Sequence, residues 1–495
     1  MEKLEKLNPL FYPKAVAVVG ATNTPFKYGN LYMQALIHRG YPKEHLYPIN
    51  PNEKEVLGIK AYSRVQDVPE PLDLVIFTIP KRLVKQTLKD CVEAKAKFVA
   101  MFTSGFSEST SEREEGKKLE AELLEIISQS NTRIVGPNGM GVYSFDGKVS
   151  YPFMYHPPED GPVSFISQSG GLTIELASMA DFWSDVRFNK IVSFGNAINL
   201  EATDYLEYFT EDPKIKIIDI YIEGVKNGPR FFKVLKEAVN VKPVIVWKGG
   251  RTEAGSRATL SHTGSLAGFN TIWEVALKQA GAVQVYSMEE LCDVTMAFLR
   301  INPPKGLNTA ILGAGGGRSV VSTDELESAG LRAPSFSPEI KEKLGEIVPD
   351  TGTGISNPID CSYFVYYDLD MYTKLLQLID TDPKIDLILL QHEVMWGDSN
   401  ERLFKIIKEA REQLEKSFVV VLLSSAGPRK YTPELEAERL KILKQYLDEG
   451  IPIYTSIHRA SNAIYKMIQY YKFLGRQGKP ENATAVLAYS NLHKQ

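Results

Sequence analysis

Two rhythms of apolar and polar positions alternate along this chain. Short runs rich in Val and Ile are almost wholly apolar, and the longer stretches between them carry apolar residues at helical spacing. Fully apolar strands followed by amphipathic helices imply parallel sheets covered on both faces. A first block predicts strands over 15–20 (AVAVVG), 46–50, 72–80, 97–102 and 132–136. A second predicts strands over 163–167, 190–194, 215–224 and 242–250, and a third opens with TAILGAGGG and continues through 384–391 and 417–425. The Pro-rich connectors YHPPEDGP (155–162) and INPPKGLN (301–308) separate the blocks. The pattern therefore predicts an α/β protein of three successive parallel-sheet domains, over 1–147, 148–302 and 303–495.

Such sheets bind ligands in the crevice beyond the carboxyl ends of their strands, so the loops there matter most. The first strand runs into Gly20-Ala-Thr22-Asn23-Thr-Pro-Phe-Lys27-Tyr-Gly29 and then the helical pattern NLYMQALIHR. A glycine turn entering a helix N-terminus is an anion site, because free N–H groups and the helix dipole face the ligand. It is not GxGxxG. A nicotinamide-dinucleotide site also needs an acid at the end of the second strand. That strand ends Pro48-Ile49-Asn50-Pro51, with no carboxylate at its tip, and Lys54 follows to face a ribose 3′-phosphate. This polarity favours a phosphorylated nucleotide of the coenzyme A (CoA) type over an NAD-dependent oxidoreductase. Ile79-Pro80, Ser104-Gly105-Phe106 and the run Gly136-Pro137-Asn138-Gly139-Met140-Gly141 close the next strands. Each alone is turn chemistry; at successive strand ends they outline one cleft.

In the second block the strand VSFIS leads to Gln168-Ser169-Gly170-Gly171 and a helix. Ser169 is placed as an N-cap, and two glycines leave the first-turn N–H groups open to an oxyanion. Further on, Lys248-Gly249-Gly250-Arg251 leads through Arg257 to Ser261-His262-Thr263-Gly264-Ser265. Its glycines predict a mobile cationic segment, and His262 in its middle is a candidate nucleophile. An imidazole serves near neutral pH when one nitrogen is free and the other N–H is held, and Glu223 at the preceding strand tip is the candidate holder. The other histidines, His38, His45, His156, His392, His458 and His493, read as structural.

Composition narrows the picture. The 495 residues carry 57 Lys plus Arg against 61 Asp plus Glu, a formal net charge of −4. That balance offers no bulk attraction to nucleic acid or a membrane surface, so a phosphate-rich ligand needs local groups. Cys91, Cys292 and Cys361 form no CxxC pair and read as core residues of a reducing compartment. The opening MEKLEKLNPLFYPK has no secretory apolar region, and no apolar run approaches the ~18 residues of a membrane span, so a cytoplasmic protein is expected.

Together these residues resemble the α-type chain of nucleoside-diphosphate-forming acyl-CoA synthetases, relatives of succinyl-CoA synthetase. The match runs in order over Gly20–Gly29, Asn50-Pro51, Ser104-Gly105-Phe106, Gly136-Pro137-Asn138, Ser167–Gly170, Glu223-Gly224 and Ser261-His262-Thr263-Gly264. It continues in Gly315-Gly316-Gly317, Asp324, Gly330-Leu331 and Asn357-Pro358-Ile359-Asp360. The resemblance implies a Rossmann-like CoA-binding domain followed by two flavodoxin-like domains. It implies CoA contacts at Gly20, Thr22, Asn23, Lys27, Asn50, Pro51, Lys54, Ile79, Pro80, Ser104, Gly105 and Asn138. It implies a phosphate site at Ser169, Gly170 and Gly171, with His262 and Glu223 catalytic and no metal on this chain. Phosphate would cleave acyl-CoA to acyl phosphate, His262 would take the phosphoryl group, and ADP would receive it. Residues after 300 contain no ATP-grasp-like block. ADP or ATP with Mg²⁺ is therefore expected on a separate ATP-grasp β subunit in a hetero-oligomer. Ile174 stands where succinyl-CoA synthetase has a tyrosine, so succinate is not implied; Phe153, Tyr155 and Trp183 are aromatics for a pocket or for the core, and the sequence leaves both readings open. The family's second glycine-led helix start is missing at Gln391-His392-Glu393. The alternative reading is a non-catalytic CoA-binding regulator or scaffold of the same fold.

Overall fold

The computed structural model describes residues 2–154, 157–263, 270–313, 315–350, 352–362, 364, 368–394, 398–423 and 432–476, with backbone alone at 2, 3, 260–263 and 432. Two compact units divide the chain, Met1–Leu291 and Cys292–Gln495.

Among its described residues the first unit holds two large sheets and a two-stranded one. Helix α1 (Glu2–Phe11) precedes β1 (Val16–Val19), α2 (Tyr28–His38) and β2 (Leu46–Ile49). A small antiparallel hairpin follows, β3 (Glu55–Val56) and β4 (Ile59–Lys60). Then come β5 (Leu74–Phe77), α3 (Lys81–Glu93), β6 (Phe98–Met101), α4 (Arg113–Ile127) and β7 (Arg133–Val135). The sheet is parallel in the order β2-β1-β5-β6-β7. Every residue of β1, β2, β5 and β6 is buried, which is why these strands read as unbroken apolar runs rather than alternating ones. A fully buried side chain such as Phe77 or Phe106 contributes about 1.5–3 kcal/mol relative to exposure.

The second sheet contains β8 (Gly141–Ser144), β9 (Val163–Ser167), β10 (Phe188–Ser193), β11 (Ile217–Ile222), β12 (Val244–Lys248) and β13 (Val283–Val285). Its order is β13-β12-β11-β9-β10-β8. Strand β8 runs antiparallel to β10, so this sheet is not wholly parallel as expected, and residues 141–144 leave the first block for the second before residue 147. Helices α5 (Gly170–Ser184), α6 (Ala202–Glu211), α7 (Gly228–Val239), α8 (Glu253–Thr263) and α9 (Asn270–Ala280) connect the strands. The two sheets are stitched by backbone. Asn196 N donates to Pro137 O at 2.9 Å, Ile198 N to Gly136 O at 3.0 Å and Leu200 N to Ile134 O at 3.2 Å. Ile198 enters the first sheet's core.

In each large sheet the winding reverses once. The connection after β1 goes to β2 on one side while that after β5 goes to β6 on the other, so a crevice opens at the carboxyl ends of β1 and β5. The same reversal lies between β9 and β11. The second unit repeats it with β14 (Thr309–Gly313), β15 (Ile359–Asp360), β16 (Leu387–Glu393), β17 (Ser417–Leu423) and β18 (Ile453–Tyr454), in the order β15-β14-β16-β17-β18. The three cysteines are buried and unlinked. Among the described residues no helix is long and apolar enough to cross a membrane.

One buried ion pair fixes the far end of the second sheet. Lys190 of β10 has no exposed surface and pairs with Asp212 at 2.8 Å, while its Nζ also donates to Asn189 Oδ1 at 2.6 Å. Removing one partner leaves an uncompensated buried charge. Asp212→Ala is expected to lower unfolding free energy by about 3–5 kcal/mol in urea titration; a change under about 1 kcal/mol would contradict it.

Candidate active site

The crevice of the first sheet is built by close backbone approach. Gly20 follows β1 with φ +89°, and a Cβ on Gly29, at the start of α2, would lie 1.9 Å from the Gly20 carbonyl oxygen. Only glycine lets helix and loop meet there. Asn50 Nδ2 donates to Ala21 O at 2.7 Å, joining the end of β2 to this loop. The sequence showed no acid at that strand's tip, but the fold supplies one. Glu53 accepts from Thr22 Oγ1 and from Asn23 Nδ2, both at 3.2 Å. Pro51 and Lys54 are exposed beside it, and Lys27 is the exposed residue preceding α2. Thr22 and Asn23 are thus oriented by a carboxylate that sequence reading missed, because a turn brings Glu53 back over the loop.

The other strand ends join the same crevice. Gly20 lies against Thr78 and Ile79, and Thr103 Oγ1 donates to Ile79 O at 2.7 Å. Asn138, at φ +59°, donates its N–H to Thr103 O at 3.0 Å. Ser104 is exposed, Gly105 N donates to Glu108 Oε1 at 2.6 Å, and Pro80 is the exposed residue preceding α3. Gly20, Ile79, Ser104, Gly105 and Asn138 therefore belong to one continuous rim.

At the second reversal Ser169 caps α5, its Oγ accepting from Leu172 N at 3.4 Å. Gly171 is exposed, and among the described residues nothing outside its own helical turn lies within 4 Å of where a Cβ would sit. The helix N-terminus is thus open to an anion. Gln168 Oε1 reaches across the reversal to accept from Glu223 N at 2.9 Å and Gly224 N at 3.2 Å. This clamp fixes the Glu223 backbone beside Gln168; the carboxylate is 4% exposed, and Tyr221 Oη donates to it at 3.1 Å. Met140 joins the two crevices. Its N–H donates to Ser193 Oγ at 3.0 Å, its carbonyl accepts from Tyr32 Oη at 2.9 Å, and its side chain lies over Gly170.

The predicted cationic segment differs from expectation. Residues 253–263 form helix α8, so His262 stands in its last turn; its imidazole, and residues 264–269, lie outside the described residues. Lys248, read as one of the cations of this segment, is an internal residue. Its Nζ donates to Gly249 O and lies 5.3 Å from the Trp273 ring centre. Arg251 stacks on Tyr286 at 4.4 Å, and Arg257 pairs with Glu253 at 2.7 Å within the helix. Trp183 sits at the far end of α5, about 20 Å from the seat at 1.5 Å per residue. Phe153 is exposed, and Tyr155 lies outside the described residues.

In the second unit Asp360 Oδ1 accepts from Gly315 N and Ser362 N, both at 2.8 Å, and Arg318 pairs with Glu393 at 2.5 Å. A carboxylate thus occupies the strand end where a second glycine-led start was absent. His392 is in the strand itself, bonded through Nδ1 to Tyr446 Oη at 3.0 Å, and burial lowers its pKa to about 4. Its role is structural.

Comparison with known proteins agrees with this layout. Residues 14–144 match a CoA binding domain and residues 160–298 a succinyl-CoA ligase like flavodoxin domain. The chain is 34% identical over 471 residues to subunit alpha of the ADP-forming acetate–CoA ligase II of Pyrococcus furiosus, covering 95% of this chain and 99% of that one. It is 32% identical over 470 residues to the ADP-forming acetate–CoA ligase II of Archaeoglobus fulgidus, covering 94% of this chain and 67% of that one. Among solved structures, acetyl-coenzyme A synthetase 1 of Candidatus Korarchaeum cryptofilum, in complex with phosphate and ADP, superposes with a TM-score of 0.80. It is 31% identical and covers 97% of this chain and 98% of that one. Fold and relatives define the succinyl-CoA synthetase-like class. Within it, the chain belongs to the family of ADP-forming acyl-CoA synthetase α subunits, which includes the Pyrococcus acetate–CoA ligase subunit.

The burial of Lys248 gives a prediction. Burial lowers its pKa from 10.5 to about 8, with Glu223 opposing the shift. Between those values the folded chain binds fewer protons than the unfolded one, so this group makes stability rise with pH across that window. In urea titrations from pH 8 to 10, the stability of wild type minus that of Lys248→Met is expected to grow with pH; a flat difference would contradict the assignment.

Proposed function

We propose that this chain is the α subunit of an ADP-forming acyl-CoA synthetase, reversibly coupling cleavage of an acyl-CoA thioester to phosphorylation of ADP. The observation that carries the reading is the junction of two crevices in one compact unit. A CoA-type cleft at β1 and β5 meets, through Met140, the helix N-terminus capped by Ser169 at β9 and β11. The thioester of a CoA held in the first crevice is brought to a phosphate held in the second.

The steps follow from that arrangement. A phosphate oxygen attacks the thioester carbonyl carbon, the C–S bond breaks, and CoA leaves as its thiol with acyl phosphate remaining. The N–H groups of Gly170 and Gly171 and the dipole of α5 stabilise charge on the phosphoryl oxygens. An imidazole nitrogen of His262 attacks phosphorus and the carboxylate departs. Glu223 holds the other ring N–H and stabilises the cation that forms. The phosphoryl group then passes from His262 to ADP, which is held with Mg²⁺ on a partner chain of ATP-grasp type.

Three further points support a two-chain enzyme. Relatives carry the name subunit alpha. The Archaeoglobus relative extends over a further third of its length beyond the match. The described residues after 300 form a five-stranded parallel sheet rather than a nucleotide-binding grasp. The relatives' names favour a short carboxylic acid as the acyl substrate.

Two measurements test the reading. With an ATP-grasp partner, Mg²⁺ and labelled ATP, wild type should acquire an acid-labile, base-stable phosphate that His262→Ala lacks; a label surviving that substitution would exclude the role of His262. His262→Gln should keep CoA affinity within about twofold while lowering kcat by about a thousandfold or more. Equal loss of both would make the residue structural.

A further inference from the structure

The loops assigned to CoA are not held by the first sheet alone. Asn196, in the turn after β10 of the second sheet, is 8% exposed. Its Nδ2 donates to Glu108 Oε2 at 2.7 Å and to Glu120 Oε1 at 2.9 Å, and its Oδ1 accepts from Asn138 Nδ2 at 3.4 Å. Two carboxylate acceptors on one side of the amide fix which atom is nitrogen.

Those two carboxylates hold the loop after β6. Glu108 accepts from Gly105 N at 2.6 Å and Phe106 N at 3.1 Å. Glu120 accepts from Ser107 N at 3.3 Å and Ser107 Oγ at 2.8 Å. Side chains that meet at one amide nitrogen carry like charges, and without a donor between them they repel. The turn itself is pressed onto the Asn138 loop. Gly195 has φ +53°, and a Cβ there would lie 2.2 Å from Pro137 O. On its other side the same turn reaches the phosphate seat. Phe194 N donates to Ser167 O at 3.0 Å, and Ser167 Oγ accepts from Ser169 N at 3.2 Å.

We infer that Asn196 is a positioning residue for CoA, supplied by the second sheet. Its neutral amide bridges Glu108 and Glu120 and so sets the Ser104–Gly105 and Asn138 loops against the phosphate seat. This rests on the functional reading given above. Neither the glycine turns nor the phosphate seat requires an asparagine at this position; the two acids of the other domain do.

Asn196→Asp replaces the donor with a third carboxylate. The dissociation constant for CoA, measured by calorimetry, is expected to rise about tenfold or more. Phosphorylation of His262 by ATP and the partner chain should stay within about twofold. The double variant Asn196→Asp with Glu108→Gln restores a donor–acceptor pair of reversed polarity. It is expected to bind CoA at least about threefold more tightly than the single variant. CoA binding by Asn196→Asp within about twofold of wild type would overturn the inference. So would joint loss of CoA binding and His262 labelling without rescue, since that describes general damage. Wild type that binds no CoA at all would instead sink the functional reading and this inference with it.

Discussion

Everything in the first unit depends on where parallel strands change their winding direction. Helical connections lie on opposite faces of the sheet on either side of such a point, so the backbone parts there and leaves strand ends open to a ligand. The chain uses this geometry at β1/β5 for a cleft lined by glycine, asparagine and small polar residues. It uses it again at β9/β11 for a capped helix N-terminus, with the buried Glu223 at the neighbouring strand's end. Neither crevice is unusual alone. What joins them is the short run from Gly136 to Gly141, which ends one rim and lies on the other.

The run also explains why the two sheets form a single unit. Residues 134–137 accept the backbone N–H groups of 196–200 as an added strand would, and β8 crosses into the second sheet directly afterwards. Sliding between the sheets would break these bonds together, so the distance between cleft and seat is fixed by main chain rather than by surface side chains. A transfer between two bound groups benefits from that rigidity, because a fixed geometry replaces the entropy of bringing reactants together.

Much of this was readable beforehand, and the reasons differ residue by residue. Strands such as VAVV and LVIF announced themselves because burial on both faces leaves no polar position in them. Ser169 was readable because a cap needs a hydroxyl before glycines, a local requirement. The Glu53 contact was not, since it depends on a turn folding back. Strand β8 went unread, because four residues carry no mark of their partner. The stretch EAGSRATLSHT looked like a loop from its glycine and hydroxyls, yet it is helical, with Glu253 in its first turn paired four residues on with Arg257. Lys248 was counted among the cations of that segment because charge is visible in a sequence and direction is not; its amine is turned inward to the Gly249 carbonyl and the Trp273 ring.

The most direct test of the central claim is a crystal structure of this chain grown with CoA and inorganic phosphate. The account predicts CoA density along the rim formed by Gly20, Ile79, Gly105 and Asn138, with its sulfur directed towards Met140. It predicts phosphate on the N–H groups of Gly170 and Gly171. Density for CoA elsewhere, or phosphate bound away from the start of α5 while that helix stands empty, would contradict it.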